Sequence, residues 1–154
     1  NAGIAPVADM LKNGIKVGLG TDNGEGNFYE NMRYLVLMQM GKNYSKHALT
    51  PLQGFQIATE GGAFGLGYTD VGCLKEGYSA DFQILTGNAA IQLTEKNVVA
   101  EVFWRKDPKD IKKVYVNGNL ICQDGHSVNL DDERIRKDFS ECVREFWKGQ
   151  PYWD

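Results

Sequence analysis

Asp22 is the residue whose surroundings most suggest chemistry. It sits in Gly20-Thr21-Asp22-Asn23-Gly24-Glu25-Gly26, a polar, glycine-rich loop. A carboxylate on such a loop can ligate a metal or accept a proton from a metal-bound water. The same residue can also cap a following helix or stabilise its own turn, and the local spacing alone favours that plainer role. The only histidines, His47 and His126, lie in polar stretches and read as surface residues. Cys73, Cys122 and Cys142 are an odd set without metal-like spacing, which suits a reduced, cytoplasmic setting. Neither the His-x-Glu with Pro-Cys-x-x-Cys signature of zinc nucleobase deaminases nor a G-x-G-x-x-G fingerprint is present. Ser79 in Gly-Tyr-Ser-Ala-Asp is not a nucleophile elbow.

The elements that must position Asp22 can be read on either side of it. Residues 6–13 suit a short helix with Pro6 in its first turn and Gly14 at its stop. Ile15, Val17 and Leu19 alternate at period two, which predicts a strand leading into the loop. A helix over about 27–40 follows, with Met32, Leu35, Val36 and Met40 on one face. Thr50, Pro51 and Gln53 form the N-cap, first position and capping box of the next helix, whose stripe is Leu52, Phe55, Ala58 and Ala63. A carboxylate at the C-terminal end of a strand, before a helix, is where α/β barrels keep their chemistry.

From about Val71 the pattern turns to strands. Asp81 to Ile84 alternates, Val98 to Trp104 is rich in strand formers, and Asn117-Gly118 predicts a hairpin turn between 114–116 and 120–122. A last helix places Ile135, Phe139, Cys142, Val143 and Phe146 on one face, with Asp131, Asp132 and Glu133 near its N-terminus.

Composition sets the outer bounds. The 154 residues are 42% hydrophobic and 24% charged, with a net charge of −3, as in a globular protein. That balance gives no footprint for nucleic acid, and no apolar run is long enough for a membrane helix. Phe139, Phe146 and Trp147 beside basic residues read as a packing helix. The chain opens on Asn1, and 15 of its 18 glycines lie in residues 1–94, which suggests a piece of a larger protein.

Several ordered stretches carry a family resemblance. Gly3-Ile4-Ala5-Pro6-Val7 and Val17-Gly18-Leu19-Gly20-Thr21-Asp22 are followed by Asn31-Met32-Arg33, Leu49-Thr50-Pro51 and Ala58-Thr59-Glu60-Gly61-Gly62-Ala63. Val71 through Asp81 and Val114-Tyr115-Val116-Asn117-Gly118 continue the series. Together they resemble the C-terminal portion of the metal-dependent amidohydrolases, in the branch of cytosine, guanine and methylthioadenosine/S-adenosylhomocysteine deaminases and triazine hydrolases.

The resemblance implies an α/β fold: the end of a TIM-type (β/α)8 barrel over residues 1–68, part of a composite β-sandwich over 69–128, and a C-terminal helix over 129–154. It implies that Asp22 is both metal ligand and proton shuttle, with zinc as the metal and iron as the alternative. Asn27 becomes a rim residue able to touch substrate, or else a helix cap, while Glu25 reads as solvated or as meeting a polar ligand edge. Gly26 stands where the nucleoside deaminases often have a serine. Asp81 takes a structural role at a turn-to-strand junction. The implied partner is a small heterocyclic substrate, with a homo-oligomer or the remainder of the parent chain as protein partner. The family's histidine ligands have no counterpart at His47 or His126, so the chain is expected to be inactive alone. A stand-alone, non-enzymatic binding or assembly module is the competing expectation.

Overall fold

The computed structural model describes residues 3–22, 26–87 and 91–148. Helices α1 (Val7–Lys12), α2 (Phe28–Lys42) and α3 (Pro51–Gln56) come first. From α3 the chain continues through a π turn, Ile57–Gly61, into α4 (Gly62–Gly65). Strand β1 (Phe82–Leu85) precedes α5 (Val98–Arg105), and a 3-10 turn at Pro108–Asp110 leads to β2 (Ile111–Val116), β3 (Asn119–Gln123) and β4 (His126–Ser127). Helix α6 (Asp132–Trp147) is the last described element. The architecture is α/β.

Local chemistry explains the helix starts. The Thr50 hydroxyl accepts the Gln53 N–H, and the Gln53 side chain accepts the Thr50 N–H at 2.9 Å, so two orphan donors are satisfied reciprocally. Asn27 and Asp131 cap α2 and α6 in the same sense, accepting from the N–H groups of Glu30 and Arg134 respectively.

The core is helical. Val7, Met32, Val36, Leu49, Ile57 and Phe103 bury together. Gly54 lets α3 approach α2 and α5 closely: a Cβ there would lie 2.7 Å from Val36 Cγ2 and 3.1 Å from Phe103 Cε2. Leu52, expected on the buried stripe of α3, is half exposed instead, because Gly54 and Ile57 face the core.

Two strand expectations are corrected. Residues 15–20 are extended but belong to no strand, because no other strand lies beside them among the described residues to complete a ladder. Val17 and Leu19 still pack on the core, whereas Ile15 is half exposed. Residues 98–105 form α5 in place of a strand. Its β-branched residues favour a strand only weakly, and seating Phe103 in the helical core, where it is fully buried, outweighs that preference. Glu101 of the same helix is also buried and pairs with Arg105 one turn on, at 3.1 Å.

The four strands form one antiparallel sheet in sequence order. Asn117 (φ 48°) and Gly118 (φ 75°) give the hairpin between β2 and β3 the two positive φ angles of a type I′ turn. Phe82 of β1 faces Tyr115 of β2, with the rings stacked at 4.7 Å. The expected apolar face of α6 forms, yet it is not buried: Phe139 and Phe146 are 68% and 70% exposed.

Candidate functional site

Asp22 stands at the end of the extended segment 15–21, before the N-terminus of α2. Its backbone is left-handed, at φ 52°, a conformation that Asp and Asn adopt more readily than other non-glycine residues. It is exposed, and among the described residues no donor or cation engages its carboxylate. The cap of α2 is Asn27, whose side-chain oxygen accepts the Glu30 N–H at 3.2 Å. The capping role open to Asp22 is therefore filled by another residue. Residues 23–25 lie outside the described residues, so the expectation for Glu25 does too.

The segment that carries Asp22 is fixed from one side by backbone contact. A Cβ on Gly61 would lie 2.1 Å from the Val17 carbonyl oxygen, and one on Gly18 would lie 2.9 Å from the Gly61 oxygen. Gly61 closes the π turn, in which the Thr59 hydroxyl donates to the Phe55 carbonyl at 2.9 Å. Such a bond diverts a carbonyl from the regular ladder and loosens the helix locally. Beside this contact is a cleft of about 390 Å³ walled by Leu11, Val17, Ile57 and Phe64. Lys16 lies over the Phe64 ring at 4.0 Å from its centroid, and Asp22 does not line the cleft.

Among the described residues, no three His, Cys, Asp or Glu side chains converge as a metal-binding group. His47 is exposed, and His126 lies 3.4 Å from Asp132 at the surface. Cys73, Cys122 and Cys142 are free thiols. The Asp81 carboxylate accepts the Asn117 N–H at 2.6 Å, which fits the structural role read for it.

Sequence reading gave Arg33 no role, although it was part of a matched stretch. Its guanidinium donates to the Phe103 and Lys106 carbonyls at 3.3 and 3.1 Å and pairs with Asp107, tying α2 to the C-terminal end of α5. Those partners are 70 or more positions away, so no local pattern could announce them. Tyr29 joins the same helix to the sheet by donating to the Gln83 side chain at 2.7 Å. Burial, helped by the Asp110 charge, pushes its phenol above the ordinary range. Among the described residues, no helix is long and apolar enough to cross a membrane.

Solved structures share this fold. A zinc-bound adenosine deaminase from Xanthomonas campestris superposes with a TM-score of 0.85 at 16% identity, over 94% of this chain and 34% of that one. A triazine hydrolase variant gives a TM-score of 0.78 at 26% identity, over 92% of this chain and 32% of that one. Among curated proteins, the 5-methylthioadenosine/S-adenosylhomocysteine deaminase of Shouchella clausii is 35% identical over 147 residues, 93% of this chain and 34% of its own length. The 5'-deoxyadenosine deaminase of Methanopyrus kandleri is 26% identical over 148 residues, 94% of this chain and 34% of its own length. The chain thus spans about a third of the length of the curated relatives it matches. The family model described as "Amidohydrolase family" matches residues 1–121, and the chain belongs to that family.

Proposed function

We propose that this chain forms the C-terminal portion of a metal-dependent hydrolase that deaminates an aminated purine, pyrimidine or related heterocycle. In this reading residues 1–68 end a (β/α)8 barrel, 69–128 contribute to a composite sandwich, and 129–154 form the closing helix. The observation that carries the proposal is the Asp22 carboxylate, exposed and unengaged among the described residues at the end of the segment that the π turn holds. The names of the curated relatives favour an adenosine-type substrate.

A carboxylate oxygen suits one position of a zinc or iron site. The described residues do not complete such a site, because a catalytic zinc takes about three protein ligands. The remaining ligands are assigned to the part of the parent protein that this chain does not span, so the chain alone is read as inactive. When bound, a divalent metal supplies a water nucleophile usable near neutral pH. Asp22 then has a proton to move. It takes one from the attacking water and delivers it to the departing amino group, so a C–N bond breaks, a C–O bond forms and ammonia leaves.

Asn27 is read as a rim residue. Its side-chain oxygen is engaged in the cap, and the amide nitrogen is the group it would offer a substrate. The protein partner is a further copy or the rest of the parent chain, and the setting is cytoplasmic.

The test uses the longer protein that carries this chain. Ammonia release from 5'-methylthioadenosine or 5'-deoxyadenosine should fall about 100-fold or more in Asp22→Asn, the scale of a lost acid–base group, with the fold intact by circular dichroism. Turnover retained in that variant would remove Asp22 from the role. A longer protein without any deaminase activity would favour the non-enzymatic module.

A further inference from the structure

We propose that the π turn Ile57–Gly61 is the positioning device for Asp22, and that Gly61 is its positioning residue. The proposal rests on the catalytic reading of Asp22 given above. The turn is clasped on two sides. On one side Gly61 meets the backbone of Val17 and Gly18, five and four residues before Asp22. On the other side Gly72, at φ 93°, fits against the same turn: a Cβ there would lie 3.0 Å from Glu60 Cα and 3.1 Å from Ala63 Cβ. The turn therefore lies between the segment that ends in Asp22 and the loop that leads on toward the sheet.

The contact at Gly61 is backbone against backbone, so no rotamer change can relieve a crowding side chain. A methyl group at 61 would lie 2.1 Å from the Val17 oxygen, where real contacts stay beyond 3.0 Å, so one side must retreat by about 0.9 Å. Displacement of a reacting group by about 1 Å is enough to cost roughly 100-fold in rate. Gly18 gives a milder version of the same contact, 2.9 Å from the Gly61 oxygen. Gly62, the next residue along, has nothing within 4 Å of a Cβ and serves as the open control.

The test compares Gly61→Ala, Gly18→Ala and Gly62→Ala in the longer protein, each assayed well below its own melting temperature. The expected result is a graded loss in kcat: about 100-fold for Gly61→Ala, smaller for Gly18→Ala and none for Gly62→Ala. KM should stay unchanged in all three, because the interaction weakened is one that Asp22 makes in the transition state. A crystal structure of Gly61→Ala should show Asp22 Cα displaced by about 1 Å from its wild-type place, the clash distance passed along the segment.

Wild-type kcat in a folded Gly61→Ala protein, or an undisplaced Asp22, would overturn the proposal. If Gly61→Ala does not fold, Gly18→Ala decides it, and kcat equal to that of Gly62→Ala would overturn it. An inactive wild-type protein would defeat the catalytic reading instead, and the crystallographic position of Asp22 would still decide the positioning claim.

Discussion

The Asn117 backbone N–H donates to the Asp81 carboxylate at 2.6 Å, across 36 positions of sequence. Beside it, the Gly118 N–H donates to the Ala80 carbonyl at 3.0 Å. The two bonds pin the residues before β1 to the hairpin turn between β2 and β3. Asp81→Ala should lower stability by about 1 kcal/mol, the scale of one hydrogen bond at an exposed site. Thermal melts should show the loss, and on the proposed catalytic reading kcat of the folded variant should stay at wild type. A collapse in kcat comparable to Asp22→Asn would show that Asp81 is more than structural.

Arg33 joins two helices through a forked guanidinium. Lysine keeps the charge but cannot reach two carbonyls and a carboxylate from one plane. Arg33→Lys should therefore cost about 1.5–3 kcal/mol, as for lost hydrogen bonds to a charged group. Urea denaturation should give a lower midpoint with an unchanged slope. An unchanged midpoint would show that the clamp contributes nothing net.

Phe103 is fully buried, with its ring edge-on to Trp104 at 4.7 Å. Phe103→Ala should cost about 3–5 kcal/mol through lost burial and the cavity left behind. Phe103→Leu should recover much of that in the same denaturation experiment. A cost no larger for alanine than for leucine would place Phe103 outside the core.

Lys112 holds the Asp124 carboxyl below its ordinary value of 3.8, chiefly through the hydrogen bond at 3.0 Å. The folded-state value is the depressed one. The stability this pair contributes is thus present above pH 3.8 and fades as pH falls below it. Asp124→Asn isolates the charge, since Asn tolerates the left-handed backbone at φ 50°. Melting temperatures of wild type and variant should differ slightly at neutral pH and converge in strong acid. A gap that widens on acidification would contradict the assignment.

Local signals carried much of this architecture. Thr50-Pro51-x-Gln53 determines a helix start because the capping bonds join neighbours in sequence. Asn117-Gly118 determines a hairpin because few other residues accept two positive φ angles in a row. Asp22 stood out for a similar reason: a carboxylate in a glycine-rich loop between an apolar segment and an amphipathic helix is a readable local pattern.

What the sequence could not carry was the outcome of competitions between distant groups. Residues 98–105 have strand-forming side chains, and only the helical core that receives Phe103 turns them into α5. Residues 15–20 alternate like a strand, but a strand is a relationship with a neighbour, and none lies beside them among the described residues. Arg33 found its partners, and Gly61 met Val17, through tertiary contacts alone. The sequence by itself determined caps, turns and the loop that holds Asp22, because these are decided within a few residues. Only the tertiary structure decided which apolar segments become helix and which backbone the segment before Asp22 meets, because burial and backbone contact depend on parts of the chain far apart.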